Sequence, residues 1–399
     1  MGIYRRLLSQ PHIGVLIAAT TLTRVPFAIN GLAVLLFVRE VTGSFGAAGL
    51  VTGAEALGAA VGAPIVSRLV DRRGAHVLTP IACGHAAALV GLVALGEAGA
   101  PLIALIAVAV VAGLCFPPSG SVLRARFAEL LGGDPGLVRS AYALDSVTIE
   151  VSFVSGPLIT AAAVALAGPE VALFLSAVLV VTGTMLFYTR LPRTVREPHP
   201  DRTPHRGVLG ILADPGIRTI VMATIPIGFC IGCVEVAVPA FATAQDRPEL
   251  AGVLLALWSL GSGIGGLVFG ARGGGRSLIG AYLWLAVLFP LACIPMVLAS
   301  APLAMYFLVM IAGAPLAPMI ASRNELVGVV APGGSGTEAF TWLMTALIVG
   351  VSAGNALGGA LSDSTGWEAA VLAEAGVALA GATTGFARRD SLEPRTAAA

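Results

Sequence analysis

The sequence predicts an all-α membrane protein of twelve transmembrane helices in two six-helix bundles related by a parallel repeat. Three observations predict it. The composition is too apolar for water, the arginines alternate with apolar stretches, and the second half repeats the punctuation of the first.

Of 399 residues, 57% are hydrophobic and 11% charged, with a mean hydropathy of +0.91. A soluble domain carries about 25% charged residues. The 50 glycines and 25 prolines do not signal disorder, which goes with low hydrophobicity; both residues are common in membrane helices. The net charge of +1 gives no reason to expect a nucleic-acid partner. All 23 basic residues are arginine, which reads as a genome-composition bias. The five cysteines, Cys83, Cys115, Cys230, Cys233 and Cys293, fall inside apolar stretches, so no disulfide framework is expected. The first apolar run is too long for the core of a cleavable signal.

A spanning helix needs about 20 mostly apolar residues. Helices are expected at 13–38, 46–69, 77–98, 101–124, 141–165, 171–190, 217–242, 250–271, 277–299, 302–322, 338–361 and 367–387. With the N-terminus in the cytoplasm, twenty arginines fall on inner segments, while only Arg39 and Arg247 fall on outer ones. This bias puts both termini inside and the chain in the plasma (inner) membrane. It divides the sequence into an N-terminal bundle (1–190), a cytoplasmic linker (191–216) and a C-terminal bundle (217–399). The linker's His199 and His205 lack metal-site spacing.

Shifting the chain by about 200 residues matches Pro26 with Pro226, Gly113 and Pro118 with Gly313 and Pro318, and Ser152 and Gly156 with Gly350 and Gly354. Odd helices match odd ones and even match even, so the halves share one membrane orientation. Two like bundles can rock about a site between them, which is the geometry of a transporter. No nucleophile–base, metal-ligand or phosphate-binding constellation appears, so neither an enzyme, an ATP-driven pump nor a cofactor is expected.

The loop after the second helix reads Ser67-Arg68-Leu69-Val70-Asp71-Arg72-Arg73-Gly74-Ala75-His76. It resembles the G-x-L-x-D-R-x-G-R-R/K signature of the major facilitator superfamily at Leu69, Asp71, Arg72 and Gly74, and departs from it at Ser67, Ala75 and His76. The resemblance extends over essentially the whole chain. It implies the major facilitator fold, with helices 1, 2, 4, 5, 7, 8, 10 and 11 around a wide, mostly apolar cavity. It also implies a cytoplasmic latch in which Asp71 meets the start of helix 11, with Arg72 and Gly74; Asp145, close to the cytoplasmic end of helix 5, is expected to join it by meeting Arg72, Arg124 or Arg139. Helix 5 carries Gly156-Pro157 and otherwise small residues where proton-driven exporters of the family have G-x8-G-x3-G-P-x2-G-G. Its copy in helix 11 carries Gly350, Gly354 and Gly358, with Asn355 in the proline place. This tilts the reading towards an efflux antiporter; close helix packing explains the same residues. The family's usual arginine on helix 4 is missing from Gly113–Pro118.

Charged residues inside the membrane are functional candidates by default. Arg24, Glu55 and Glu150 each lie about 14–16 Å along their helices at 1.5 Å per residue. Since the resemblance puts helices 1, 2 and 5 around the cavity, Arg24 is expected to pair with Glu150 or Glu55, so that a proton on the carboxylate frees the arginine. A permanent structural ion pair is the plainer alternative. Glu235 is a second coupling candidate. Asn30, Tyr142, Asn355 and Trp342 are candidates for orienting a ligand. His85, Glu374 and the Cys230/Cys233 pair are left as packing. The expected partners are a small organic substrate, protons and the lipid bilayer, with the protein a monomer. The alternatives are an importer of a small anionic metabolite anchored by Arg24, and a non-transporting sensor with the same fold.

Overall fold

The computed structural model describes residues 2–132, 134–192, 210–271, 277–330 and 336–393. Among them, twelve helices are long and apolar enough to cross a membrane. Spans 1–6 are Ile13–Thr42, Phe45–Val70, Ala75–Glu97, Leu102–Arg124, Val147–Leu166 and Pro169–Arg190. Spans 7–12 are Pro215–Ala244, Leu250–Phe269, Leu278–Leu298, Pro302–Val327, Trp342–Ser364 and Trp367–Ala387. No strand occurs among the described residues. This is the expected architecture, with some ends displaced.

Two displacements have clear causes. Span 7 begins at Pro215, inside the expected linker, because Asp214 caps it. The Asp214 carboxylate accepts from the backbone N–H groups of Gly216 (2.9 Å) and Ile217 (3.1 Å), and Pro215 occupies the first helical position, where its missing donor costs nothing. The rest of the linker, 193–209, lies outside the described residues. The helix that carries span 5 begins at Pro135 rather than near 141, since Asp134 accepts from the Leu137 N–H at 3.1 Å.

Spans 4 and 10 are broken at matching places. Leu102–Leu114 gives way to Ser119–Leu130, and Pro302–Gly313 to Leu316–Val330. Pro117 and Pro118 supply no N–H. Among the described residues, no backbone hydrogen bond joins Ser119–Leu130 to any residue before Pro117. The tight turns before spans 6 and 12 also repeat: Gly168 and Gly366 have φ of 112° and 107°, a region costly for residues with a Cβ.

The chain forms two compact units, Met1–Thr42 with Ala54–Pro204, and Gly43–Gly53 with His205–Ala399. In the first, span 1 packs on spans 5 and 6, and span 3 on spans 4 and 6. Span 2 meets span 4 where Gly58 and Gly62 face the backbone of Val110 and Leu114. The second unit uses the same scheme: span 7 on spans 11 and 12, span 9 on spans 10 and 12, and span 8 on span 10 through Gly261, Gly265 and Gly313. The first turns of span 2 group with the second unit rather than with the rest of 1–190. Asp363, near the end of span 11, caps them by accepting from the N–H groups of Phe45 and Gly46, both at 2.8 Å, and from Ser44 Oγ at 2.5 Å. Ser352 Oγ donates to the Gly53 carbonyl at 2.9 Å.

Candidate substrate and proton site

In the first unit, Asp145 holds two arginines. Arg24 Nη2 lies 2.5 Å from its Oδ1 and Arg124 Nε lies 2.9 Å from its Oδ2. Arg24 Nη1 also donates to Thr148 Oγ1 at 2.8 Å, and Thr148 in turn donates to the Asp145 carbonyl at 2.7 Å. The Arg24 guanidinium lies against Gly120 in the second half of span 4, where a Cβ would collide with it. The Asp145 side chain is 2% exposed and that of Arg24 13%, whereas Arg124 keeps 41%. Two guanidinium groups thus share the Asp145 carboxylate, and Arg124 is the more exposed of the two.

Arg24 is expected to meet Glu150 or Glu55; among the described side chains it meets Asp145 and not Glu55. The reason is the earlier start of helix 5. Counted from Pro135, Asp145 lies about 15 Å along its helix at 1.5 Å per residue, level with Arg24 on span 1. Counted from 141, it would have been about 6 Å in, close to the latch to which it was assigned. Arg124 does meet Asp145, as expected, but together with Arg24. The side chains of Glu150 and Tyr142 lie outside the described part of the structure.

Glu55 belongs to a different cluster. Asn30 Nδ2 donates to Glu55 Oε1 at 2.8 Å and lies 3.2 Å from His85 Nε2. Ser176 Oγ donates to Asn30 Oδ1 at 2.5 Å, and His85 Nδ1 is 2.7 Å from the Ala112 carbonyl. Because that carbonyl can only accept, the proton sits on Nδ1 and Nε2 is free to accept from Asn30. All four side chains are buried, and they come from spans 1, 2, 3 and 6. His85, expected to be packing, is thus part of a complete polar network. Its signal in the sequence was its isolation as a polar residue within an apolar span, where a buried imidazole needs partners.

In the second unit, Glu235 on span 7 lies beside the Asn355 amide on span 11. Trp342 is half-buried on span 11. Cys230 and Cys233 do not act as a pair: Cys233 donates to the Gly354 carbonyl at 3.5 Å, and Cys230 turns towards Cys293 and Glu374.

Of the latch residues, Gly74 ends the span 2 helix with φ of 92° and Arg72 is exposed; the Asp71 side chain lies outside the described part. The small residues of spans 5 and 11 sit in helix seams. A Cβ at Gly156 would meet Ala28 and Ile29 of span 1. At Gly350 and Gly354 it would meet the backbone of Ile225 and Phe229 on span 7, and Gly358 faces Cys233. Pro157 lies inside the span 5 helix. Close packing accounts for all these glycines.

The family profile described as Major Facilitator Superfamily matches residues 16–273. No protein of curated function matches the sequence significantly. Among solved structures, the nucleoside transporter NupG is similar over 95% of this chain and 99% of its own, with a TM-score of 0.75 at 12% identity. The POT family transporter PepTSo matches over 96% and 99%, with 0.74 at 12% identity. A bacterial homologue of the iron transporter ferroportin, in an inward-facing state, matches over 94% and 98%, with 0.72 at 15%. Identities this low bear on the fold alone. With the profile covering well over half its length and its twelve spans folded as in these transporters, the chain belongs to the Major Facilitator Superfamily.

Proposed function

We propose that this protein is a proton-coupled secondary transporter that exports a small organic molecule by alternating access, with Glu55 and Glu235 as proton carriers and the Arg24–Asp145–Arg124 cluster as its charged substrate-side group. The superfamily carries the coarser part of this reading, a membrane transporter and not an enzyme. The proposal also takes the membrane to be the plasma (inner) membrane with both termini cytoplasmic, supported by the twenty arginines on one set of segments against two on the other. The structural neighbours include a nucleoside transporter and a homologue of an iron transporter, so likeness of fold does not choose the substrate.

One observation carries the coupling. Glu55 and Glu235 lie deep in their spans; Glu55 accepts from the Asn30 amide, Glu235 lies beside that of Asn355, and among the described residues neither carboxylate forms an ion pair with an arginine. A proton can therefore be gained or lost at either without breaking an ion pair. Asp145 is the opposite case, because protonating it would release two cations into a poorly hydrated site. The outward direction is taken from the resemblance of Gly156-Pro157 to the exporter pattern alone, since helix packing by itself accounts for these small residues.

The two arginines gathered at Asp145 support a second reading, uptake of a small anion drawn to this basic site. Both are tested in proteoliposomes under an imposed pH gradient, with a panel of cationic, neutral and anionic solutes. The proposal expects the gradient to drive solute uphill. It also expects Glu55→Gln to weaken gradient-driven movement, and Glu55→Gln with Glu235→Gln to abolish it, while solute–solute exchange persists. Gradient-independent flux that Glu55→Gln leaves unchanged would reject it. Movement of anions alone, lost on Arg124→Ala, would favour the second reading, and no flux of any solute would favour a sensor.

A further inference from the structure

We infer that Cys230, Cys293 and Glu374 form a buried binding site for a thiophilic metal ion of the Cu(I) or Zn(II) class, set between spans 7, 9 and 12. The two thiol sulfurs and one carboxylate oxygen lie within 4.8 Å of one another, and all three residues are fully buried. Ligand atoms about 2.0–2.3 Å from a shared ion stand about 4 Å apart or less, so an inward shift of under an ångström closes the triangle. Cys293 is the last residue of the Leu278–Cys293 helix, where the chain tightens into the 3-10 turn Ile294–Leu298, and Pro290 precedes it by less than one turn. The ligand therefore sits at an irregular point of span 9, where small adjustments are least costly.

The carboxylate is what separates this cluster from ordinary cysteine packing. Neither oxygen of Glu374 receives a hydrogen bond of good geometry, and its polar neighbours are the two thiols. The same place in the first unit shows what a satisfied cluster looks like. A shift of about 200 residues sets Asn30 against Cys230 and Ser176 against Glu374. There the two polar groups bond each other directly at 2.5 Å. In the second unit a carboxylate stands in place of the donating hydroxyl and sulfur in place of the amide, and sulfur is a poor hydrogen-bond partner but a strong ligand for soft ions. On binding, each thiol that ligates releases its proton. Two sulfurs, one oxygen and a dry surrounding suit two- or three-coordinate Cu(I); Zn(II) would require a fourth ligand. The ion enters as the spans pack, since the finished site is closed.

The test uses the full-length chain with Cys83→Ser and Cys115→Ser, which removes the two cysteines that are not buried. The protein is expressed in medium supplemented with copper or with zinc, purified in detergent with a weak chelator, and its metal content measured. About one equivalent of either metal is expected, falling at least five-fold in Cys230→Ser and in Cys293→Ser. X-ray absorption of the unsubstituted site keeps the idea open to refutation should those variants fold poorly; it should show two sulfur neighbours at about 2.2–2.3 Å. Metal content below a tenth of an equivalent in both media, or a first shell without sulfur, would overturn the site.

Discussion

Asp145 shows how far a single residue's role depends on where its helix begins. The sequence marks Arg24, Glu55, Glu150 and Asp145 as intramembrane or near-membrane charges, and that much is legible because charge in an apolar run has no innocent explanation. Which of them pair is not legible, since a six-residue error in a helix start moves a side chain by about 9 Å. Thr148 and Gly120 could not be found from sequence at all: one matters as an acceptor for Arg24, the other as the space the guanidinium occupies. With two arginines on it and a side chain 2% exposed, Asp145 is costly to neutralise. Asp145→Asn is expected to lower stability by about 3 kcal/mol, the lower end for breaking a buried ion pair, because Arg124 retains contact with water. A fall in Tm in detergent, partly restored by adding Arg24→Gln, would bear this out; an unchanged Tm would show that the cluster does not support the fold.

At the scale of the helix, glycine carries two messages that a sequence does not separate. The pattern Gly350, Gly354, Gly358 read equally as an exporter signature and as a packing face, and in the structure it is a seam against span 7. Gly263 on span 8, by contrast, has nothing near its missing Cβ. Gly354→Ala should therefore cost about 1–3 kcal/mol by overpacking, while Gly263→Ala should be neutral, as read by thermal unfolding of the two variants side by side. Equal losses would mean that backbone freedom, not contact, is what these positions supply. The breaks in spans 4 and 10 were foreshadowed by prolines, but only as continuous spans containing them. Hydropathy averages over a window and cannot see where the helical bonds lapse for a few residues.

For the molecule as a whole, the repeat was legible because Pro and Gly mark backbone geometry, which both halves must share. The side chains placed on that geometry have diverged, so the polar clusters of the two units had to be seen in coordinates. Each unit contributes one carboxylate next to an asparagine amide, Glu55 and Glu235. If both carry protons, the ratio of protons to solute, measured from the reversal of flux against opposed gradients, should drop in Glu55→Gln and in Glu235→Gln separately and reach zero in the double variant. A ratio that only one of them changes would assign coupling to a single unit. The interruption at Pro117 and Pro118 has a mechanical consequence. Torque applied to Ser119–Leu130 passes to Leu102–Leu114 through a few rotatable bonds and not through a rigid rod. An event at Asp145 that lets go of Arg124 thus swings a short lever of twelve residues, leaving the remainder of the span as a fixed post.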